Sequence, residues 1–326
     1  MARTRLYRNG VLEKENFPIA DISECVNDPG AVVWLDLCVL DDDAGLDQVE
    51  EEFGLHALAV EDAAHNERQR PKLDHYSTHL FLSAYGIAIN PETMDLESSE
   101  LAIFITRNAL ITVRKDRRFD MDEVVKRWDA APELVKEGPG FLLYGLLDYI
   151  VDGHFQAVQD LDERIEALQD DLFDDSRDRV REVQKKSFEL RRDLILLRKY
   201  VLPMREVVNG LMRRDVRIVG DTLMPYYQDV YDHVLRATEW TESLRDLVST
   251  ILETNLTIQG NRMNLIMKQV TSWAAIIAVP TAVTGFYGQN VPYPGFGNDS
   301  GLITSSLIIV GGSSALYVVF RRKGWL

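Results

Sequence analysis

Hydrophobic positions change their spacing along the chain, and each change marks a different kind of structure. In the N-terminal part, short apolar runs alternate with polar turns. Ala31 to Leu37, Leu80 to Ile89 and Leu101 to Thr106 read as strands, and Arg107-Asn108 turns the last of them into Ala109 to Val113. Arg5 to Tyr7 and Val11 to Leu12 flank Asn9-Gly10, a strong short-range hairpin signal. Helices around Leu46 to Phe53 and Met121 to Trp128 fill the gaps, so an α/β domain with a mixed sheet is predicted over residues 1–140. From Gly140 the period becomes helical. Leu142, Leu146 and Ile150, then Leu161, Ile165, Leu168 and Leu172, then Val183, Leu190, Leu194 and Leu197 predict an all-helical region over 141–224.

After Pro225 no proline occurs until Pro280, and only Gly260 interrupts a helix-compatible sequence, so one helix is predicted over 225–287. At about 1.5 Å per residue it reaches roughly 90 Å, too long to bury itself against one small domain without neighbours. Asp232, Glu239, Asp246 and Glu253 recur every seven residues along it. This acidic stripe is either a solvated face or part of a site, and period alone does not separate the two.

The charge pattern breaks sharply near the C-terminus. Residues 269–320 contain one charged side chain, Asp299, whereas the preceding 268 residues hold 51 acids and 33 bases. Within the uncharged part, Val270 to Tyr287 and Leu302 to Phe320 each extend roughly 27 to 29 Å as helices, just enough to cross a hydrocarbon core. The segment 288–301, GQNVPYPGFGNDSG, has no Lys or Arg. Arg262 and Lys268 precede the first span, and the tail 321–326 carries Arg321, Arg322 and Lys323. The positive-inside rule therefore places both termini in the cytoplasm of a two-span protein of the cell membrane. Over the whole chain, 36 Lys+Arg face 52 Asp+Glu, a net charge of −16. Repulsion disfavours nucleic acid as a partner, while divalent cations suit such a surface. Cys25 and Cys38 are too few for a disulfide framework, no secretory signal is evident, and both read as reduced cytosolic thiols.

Two spans per chain cannot enclose an aqueous path, so a channel would need several subunits, each giving one helix to a central pore. Asn264, Met267, Val270 or Thr271, Ala274, Ala278, Thr281 and Gly285 follow one another at helical steps and form a small, weakly polar face. That face suits close helix packing as well as a pore lining. At its end stands Tyr287-Gly288-Gln289-Asn290, where the glycine frees the backbone and the asparagine carbonyl offers an uncharged acceptor. A ring of such acceptors suits a hydrated Mg2+, which dehydrates reluctantly. A turn explains Gly-x-Asn equally well.

Taken together, the two C-terminal spans, Tyr287-Gly288-Gln289-Asn290 and the closing Arg321-Arg322-Lys323-Gly324-Trp325-Leu326 resemble the CorA family of magnesium transporters. The resemblance extends upstream through Leu197-Arg198-Lys199, Pro203-Met204-Arg205-Glu206 and YYQDVYDH (Tyr226 to His233). It continues to Val60-Glu61-Asp62 and Gln69-Arg70-Pro71-Lys72, and so covers almost the whole chain. It implies a funnel-shaped homopentamer with an α/β cytoplasmic domain, a long stalk helix running into the first transmembrane helix, and a second one outside it. It also implies a selectivity filter at Gly288 and Asn290, flanked by Tyr287 and Gln289. Asn264, Met267, Val270 and Thr281, with Ala278 among them, match pore-lining positions, and Glu253 matches an acidic residue at the cytoplasmic mouth. Asp229 matches the partner of Asp62 in a regulatory Mg2+ site between adjacent subunits, with Glu61 as an accessory ligand. Bound divalent cations would neutralise the opposed carboxylates and favour a closed assembly, a negative feedback by the transported ion. Two departures stand out: Gln289 replaces the usual methionine, and Ala278 falls where a bulky constriction is usual, which moves the expected gate toward Met267 and Val270.

No phosphate-binding loop is present, and the membrane potential supplies about 2.3 kcal/mol per charge per 100 mV to an inward-moving cation. His65, His75 and His79 cluster in sequence but read as incidental rather than as a zinc site, and no nucleophile and base arrangement marks an enzyme. The expected function is Mg2+ influx gated by intracellular Mg2+. The alternatives are Zn2+, Co2+ or Ni2+ transport on the same fold, with proton coupling for zinc, and a membrane-anchored divalent-cation sensor.

Overall fold

The computed structural model describes all residues except 1, 27, 29, 40–43, 65–68, 173–176, 214–217 and 290, with backbone alone for 23, 44 and 177–179. It divides into two compact units, Met1–Ile251 and Leu252–Leu326.

The first unit is built on a seven-stranded sheet. Its strands are β1 (Arg3–Arg8), β2 (Val11–Glu15), β3 (Ala31–Cys38), β4 (Lys72–His75), β5 (Leu80–Ile89), β6 (Leu96–Ile105) and β7 (Ala109–Arg114), in spatial order β2-β1-β3-β7-β6-β5-β4. Only β3 and β7 pair in parallel; every other neighbour is antiparallel. The hairpin at Asn9-Gly10 forms as predicted, with φ of 53° and 85°, the left-handed values that a two-residue turn requires. Strand β6 begins at Leu96, well before the predicted Leu101, and pairs along the full length of β5. Its first half, Glu97 to Glu100, is polar and carries no strand-like pattern. Pairing holds it, together with Ser99 donating to Asp116 at 2.7 Å and Lys115 meeting Glu100 at 3.0 Å.

Helices cover both faces, which explains why the strands are apolar at successive positions rather than at alternate ones. On one face α1 (Ile22–Val26), α2 (Ala44–Phe53) and α3 (Ala57–Ala64) bury Ile22, Val49 and Ala59 against Val33, Leu35, Phe81 and Phe104. On the other lie α4 (Met121–Asp129), α5 (Pro132–Val135) and α6 (Pro139–Asp171). Trp128, Leu142, Leu146 and Ile150 meet Trp34, Leu82 and Leu101 there. The Trp34 and Trp128 rings meet edge to face at 5.0 Å, and the Trp128 indole donates to the Leu142 carbonyl at 3.0 Å. Helix α7 (Arg177–Leu211) and the first part of α8 (Met224–Tyr287) add Met204, Val208, Tyr227 and Val234 to the same cluster. The change of period near residue 140 thus changes the secondary structure while one core continues across it. Arg5, almost fully buried, gathers β1, β2 and α4 by bonding Glu15, Asp129 and the Tyr7 hydroxyl at 2.8 to 2.9 Å.

The second unit consists of the remainder of α8 and of α9 (Asp299–Arg322), joined by a short loop. Helix α8 passes through Pro280, which has no N–H to give. Just beyond it threonine hydroxyls back-bond the helix: Thr281 Oγ1 donates to Ile277 O at 2.9 Å and Thr284 Oγ1 to Pro280 O at 2.8 Å. Helix α9 begins at Asp299, inside the segment predicted as loop; an acid in the first turn complements the helix dipole. Both helices are long and apolar enough to cross a membrane, and almost nothing in those stretches is buried within the chain.

Candidate functional site

The two sides of α8 in the second unit differ. Ser272 is buried and Ile276, Val279, Val283 and Tyr287 are half-buried. This is the side that α9 covers: a Cβ on Gly312 would lie 3.1 Å from Val279 Cγ1, and the Trp273 and Tyr317 rings lie 6.5 Å apart. Asn264, Met267, Val270, Thr271, Ala274, Ala278, Thr281 and Gly285 are all exposed. On a helix, positions two apart are separated by about 200°. Ala274, Ala278, Thr281 and Gly285 each sit two residues from a covered position, so the small, weakly polar face points away from α9. Glu253, Asp246, Glu239 and Asp232 are likewise exposed, and among the described residues no ion pair joins Asp232, Glu239 or Glu253 to another side chain.

Helix α8 ends at the sequence motif. The Gly288 amide donates to Thr284 O at 2.9 Å and the Gln289 amide to Phe286 O at 3.3 Å, which satisfies carbonyls at the helix terminus. The Tyr293 hydroxyl donates to Tyr287 O at 3.3 Å, and its ring meets those of Tyr287 and Phe296 edge to face at 4.8 and 5.3 Å. Gly288 does not have the left-handed φ for which glycine is often required. Its requirement is steric: a Cβ there would stand 2.8 Å from the Thr284 carbonyl oxygen. Gln289 is exposed, and Asn290 lies outside the described residues.

Asp62 is in the last turns of α3, not at its N-terminus, so it does not cap the helix. Its carboxylate accepts from Gln69 Nε2 at 2.7 Å and Lys72 Nζ at 2.6 Å. Burial raises its pKa, but the bonds from Lys72 and Gln69 outweigh that and hold it below the usual carboxylate range. Glu61, the preceding residue, is exposed. Asp229 is exposed on α8, and no bond within the chain joins it to Asp62 among the described residues. Beside Asp229 lies a feature that sequence patterns missed. Tyr144 of α6 has its pKa pushed up to about 12, by burial first and then by Asp148 and Asp229, so these two carboxylates share its surroundings. Asp148 is raised by burial and by Asp152, despite Arg127, which bonds both acids; His233 of α8 is near enough to favour its charged form. Nothing in the apolar spacing of α6 distinguishes Asp148 from a solvated acid.

Among the described residues no group of three or more His, Cys, Asp or Glu side chains is placed to hold a metal within one chain. His79 is buried between Tyr76 and Phe104, His75 is exposed, and His65 lies outside the described residues.

Comparison with known proteins agrees with this architecture. The family model for CorA-like Mg2+ transporter proteins matches residues 29–322. The chain is 27% identical over 318 residues to the cobalt/magnesium transport protein CorA of Thermotoga maritima, covering 96% of this chain and 90% of that one. It is 21% identical over 252 residues to the zinc transport protein ZntB of Yersinia enterocolitica, covering 77% and 75%. Its fold superposes on the complete structure of the CorA magnesium transporter from Methanocaldococcus jannaschii with a TM-score of 0.80 at 23% identity, covering 100% of this chain and 99% of the other. The chain is a membrane protein that belongs to the CorA family of divalent-metal transporters.

Proposed function

We propose that this chain is one subunit of a homo-oligomeric channel, a pentamer by its family resemblance, that admits Mg2+ driven by the membrane potential. The observation that carries the reading is the face of α8 opposite α9, small and exposed at Ala274, Ala278, Thr281 and Gly285. Copies gathered about an axis cover that face and enclose a path past Asn264, Met267, Val270, Ala278 and Thr281. With Ala278 small, Met267 and Val270 make the narrow part, and Glu253 attracts cations at the cytoplasmic mouth. Both termini are cytoplasmic, as the basic residues flanking the spans require. A divalent ion entering across 100 mV gains roughly 4.6 kcal/mol, enough to drive uptake without ATP.

At the outer end the amide of Asn290, with Gly288 keeping the backbone close to Thr284, sorts ions by their water shell, since a neutral acceptor holds hydrated Mg2+ without trapping it. On the inner side, Asp62 of one copy and Asp229 of the next share a regulatory Mg2+, with Glu61 accessory and Asp148 and His233 adjoining Asp229. Loss of the ion leaves opposed carboxylates unneutralised and loosens the closed assembly.

Mg2+ influx into proteoliposomes, measured with Co2+, Ni2+ and Zn2+ as competitors, tests this reading. Wild-type protein is expected to carry Mg2+, and Asn290→Ala to abolish selective uptake. Unchanged uptake in Asn290→Ala removes the filter assignment. Zinc flux that depends on a proton gradient, without Mg2+ flux, moves the protein to zinc transport, and no flux at all leaves a membrane-anchored sensor.

A further inference from the structure

We infer that Lys72 sets the affinity and the charge selectivity of the cation site at Asp62, as a tethered counter-ion that an incoming metal must displace. The inference rests on the proposal that Asp62 is a regulatory ligand, and goes beyond it by assigning what occupies the carboxylate when no metal is bound.

Lys72 Nζ lies 2.6 Å from Asp62 Oδ2 and 2.9 Å from Asp74 Oδ2, over the Phe81 ring at 5.5 Å from its centre. Gln69 takes the other oxygen of Asp62 at 2.7 Å. One donor on each oxygen uses about half of the acceptor sites of a carboxylate. The rest are reachable, since the Asp62 side chain is 25% exposed and that of Lys72 33%. Lys115, whose charge also favours ionised Asp62, is engaged by Glu100 at 3.0 Å. Among the described residues Lys72 is the cation hydrogen-bonded to Asp62, and because it also holds Asp74 it can leave Asp62 without losing its last partner.

Charge then decides which ions compete. A monovalent ion replaces one positive charge by another and must also overcome the high local concentration of a tethered ammonium, so K+ or Na+ gains nothing. A divalent ion brings twice the charge to Asp62 and to the carboxylate of the neighbouring copy. The ammonium thus closes the site to monovalent ions and raises the Mg2+ concentration at which it fills.

The experiment uses the full-length protein in liposomes and reads the Mg2+ concentration, on the side bearing the N-terminal unit, that half-inhibits influx. Lys72→Met is expected to lower it about tenfold, the equivalent of one tethered charge pair at roughly 1.4 kcal/mol. Lys72→Gln should follow Lys72→Met, Lys72→Arg should remain near wild type, and Asp62→Ala should move the value upward. Exchanging K+ for N-methylglucamine at constant ionic strength should leave wild type unchanged and lower the value further in Lys72→Met, since K+ can then occupy the vacated carboxylate. If Asp62→Ala raises the value while Lys72→Met leaves it unchanged or raises it, the role of Lys72 is overturned and Asp62 stands. A shift in Lys72→Arg as large as in Lys72→Met also overturns it. If Asp62→Ala shifts nothing, the regulatory assignment fails and the inference with it.

Discussion

The two units of this chain solve opposite problems. Residues up to Ile251 bury a sheet between helices on both faces, and their inward charges find partners: Asp36 with Arg114, Arg5 with Glu15 and Asp129. From Leu252 onward two apolar helices share one narrow contact and leave Leu302, Leu307, Val310 and Val270 at 64% exposure or more. A fold that hides its apolar surface is complete by itself; one that displays it needs a different solvent or further copies. The contrast teaches that stability resides in the first unit and that the second is unfinished as a single chain.

Three experiments break or sharpen this contrast, in order of expected effect. Trp128→Ala removes a fully buried ring packed on Trp34 and Gly145, and should destabilise the first unit by about 3–5 kcal/mol in chemical denaturation. A loss under 1 kcal/mol, roughly, would mean that the core tolerates a cavity there and is not the stable partner. His154 comes next. Burial drives its imidazole down to about 4, while the hydrogen bond of Nε2 to Tyr85 O, 2.7 Å, opposes the fall. Because the unfolded chain protonates near pH 6.5 and the folded one only near 4, the unfolded state holds more protons between those values, and stability falls as pH drops through that window. The loss approaches about 3 kcal/mol. His154→Gln should flatten the pH dependence of unfolding over the same interval; an undiminished slope assigns it to other groups.

The smallest expected effect probes the second unit. Ala278→Trp, on the face turned from α9, should cut ion flux at least about tenfold, whereas Val310→Trp, on an exposed part of α9, should change it less than about twofold. Equal effects at the two positions would show that both sides meet the same surroundings and would remove the special status of the α8 face.

Much of this architecture is legible in the chain because its causes are local. The absence of proline between Pro225 and Pro280 predicts the long helix, two uncharged stretches predict the apolar pair, and Asn9-Gly10 predicts its hairpin. Gly288 and the candidate pore face are legible as well, though the reason for the glycine is not: it is the approach of the Thr284 carbonyl rather than a left-handed backbone. Elements whose cause lies elsewhere were hidden. The polar half of β6 is a strand because β5 runs beside it, and Asp148 stands apart from a solvated acid because folding sets it near His233 and the Tyr144 that Asp229 also reaches.

The sequence by itself determined the periods, the charge break, the extent of the long helix and the membership of the CorA family, since all of these follow from which residues stand next to one another. The tertiary structure alone decided that Lys72 occupies Asp62, that His154 is held neutral beneath Tyr85, and that α9 covers one side of α8 and leaves the other bare. Those outcomes depend on desolvation and on distances of a few ångströms between separate elements, and no spacing along the chain encodes them.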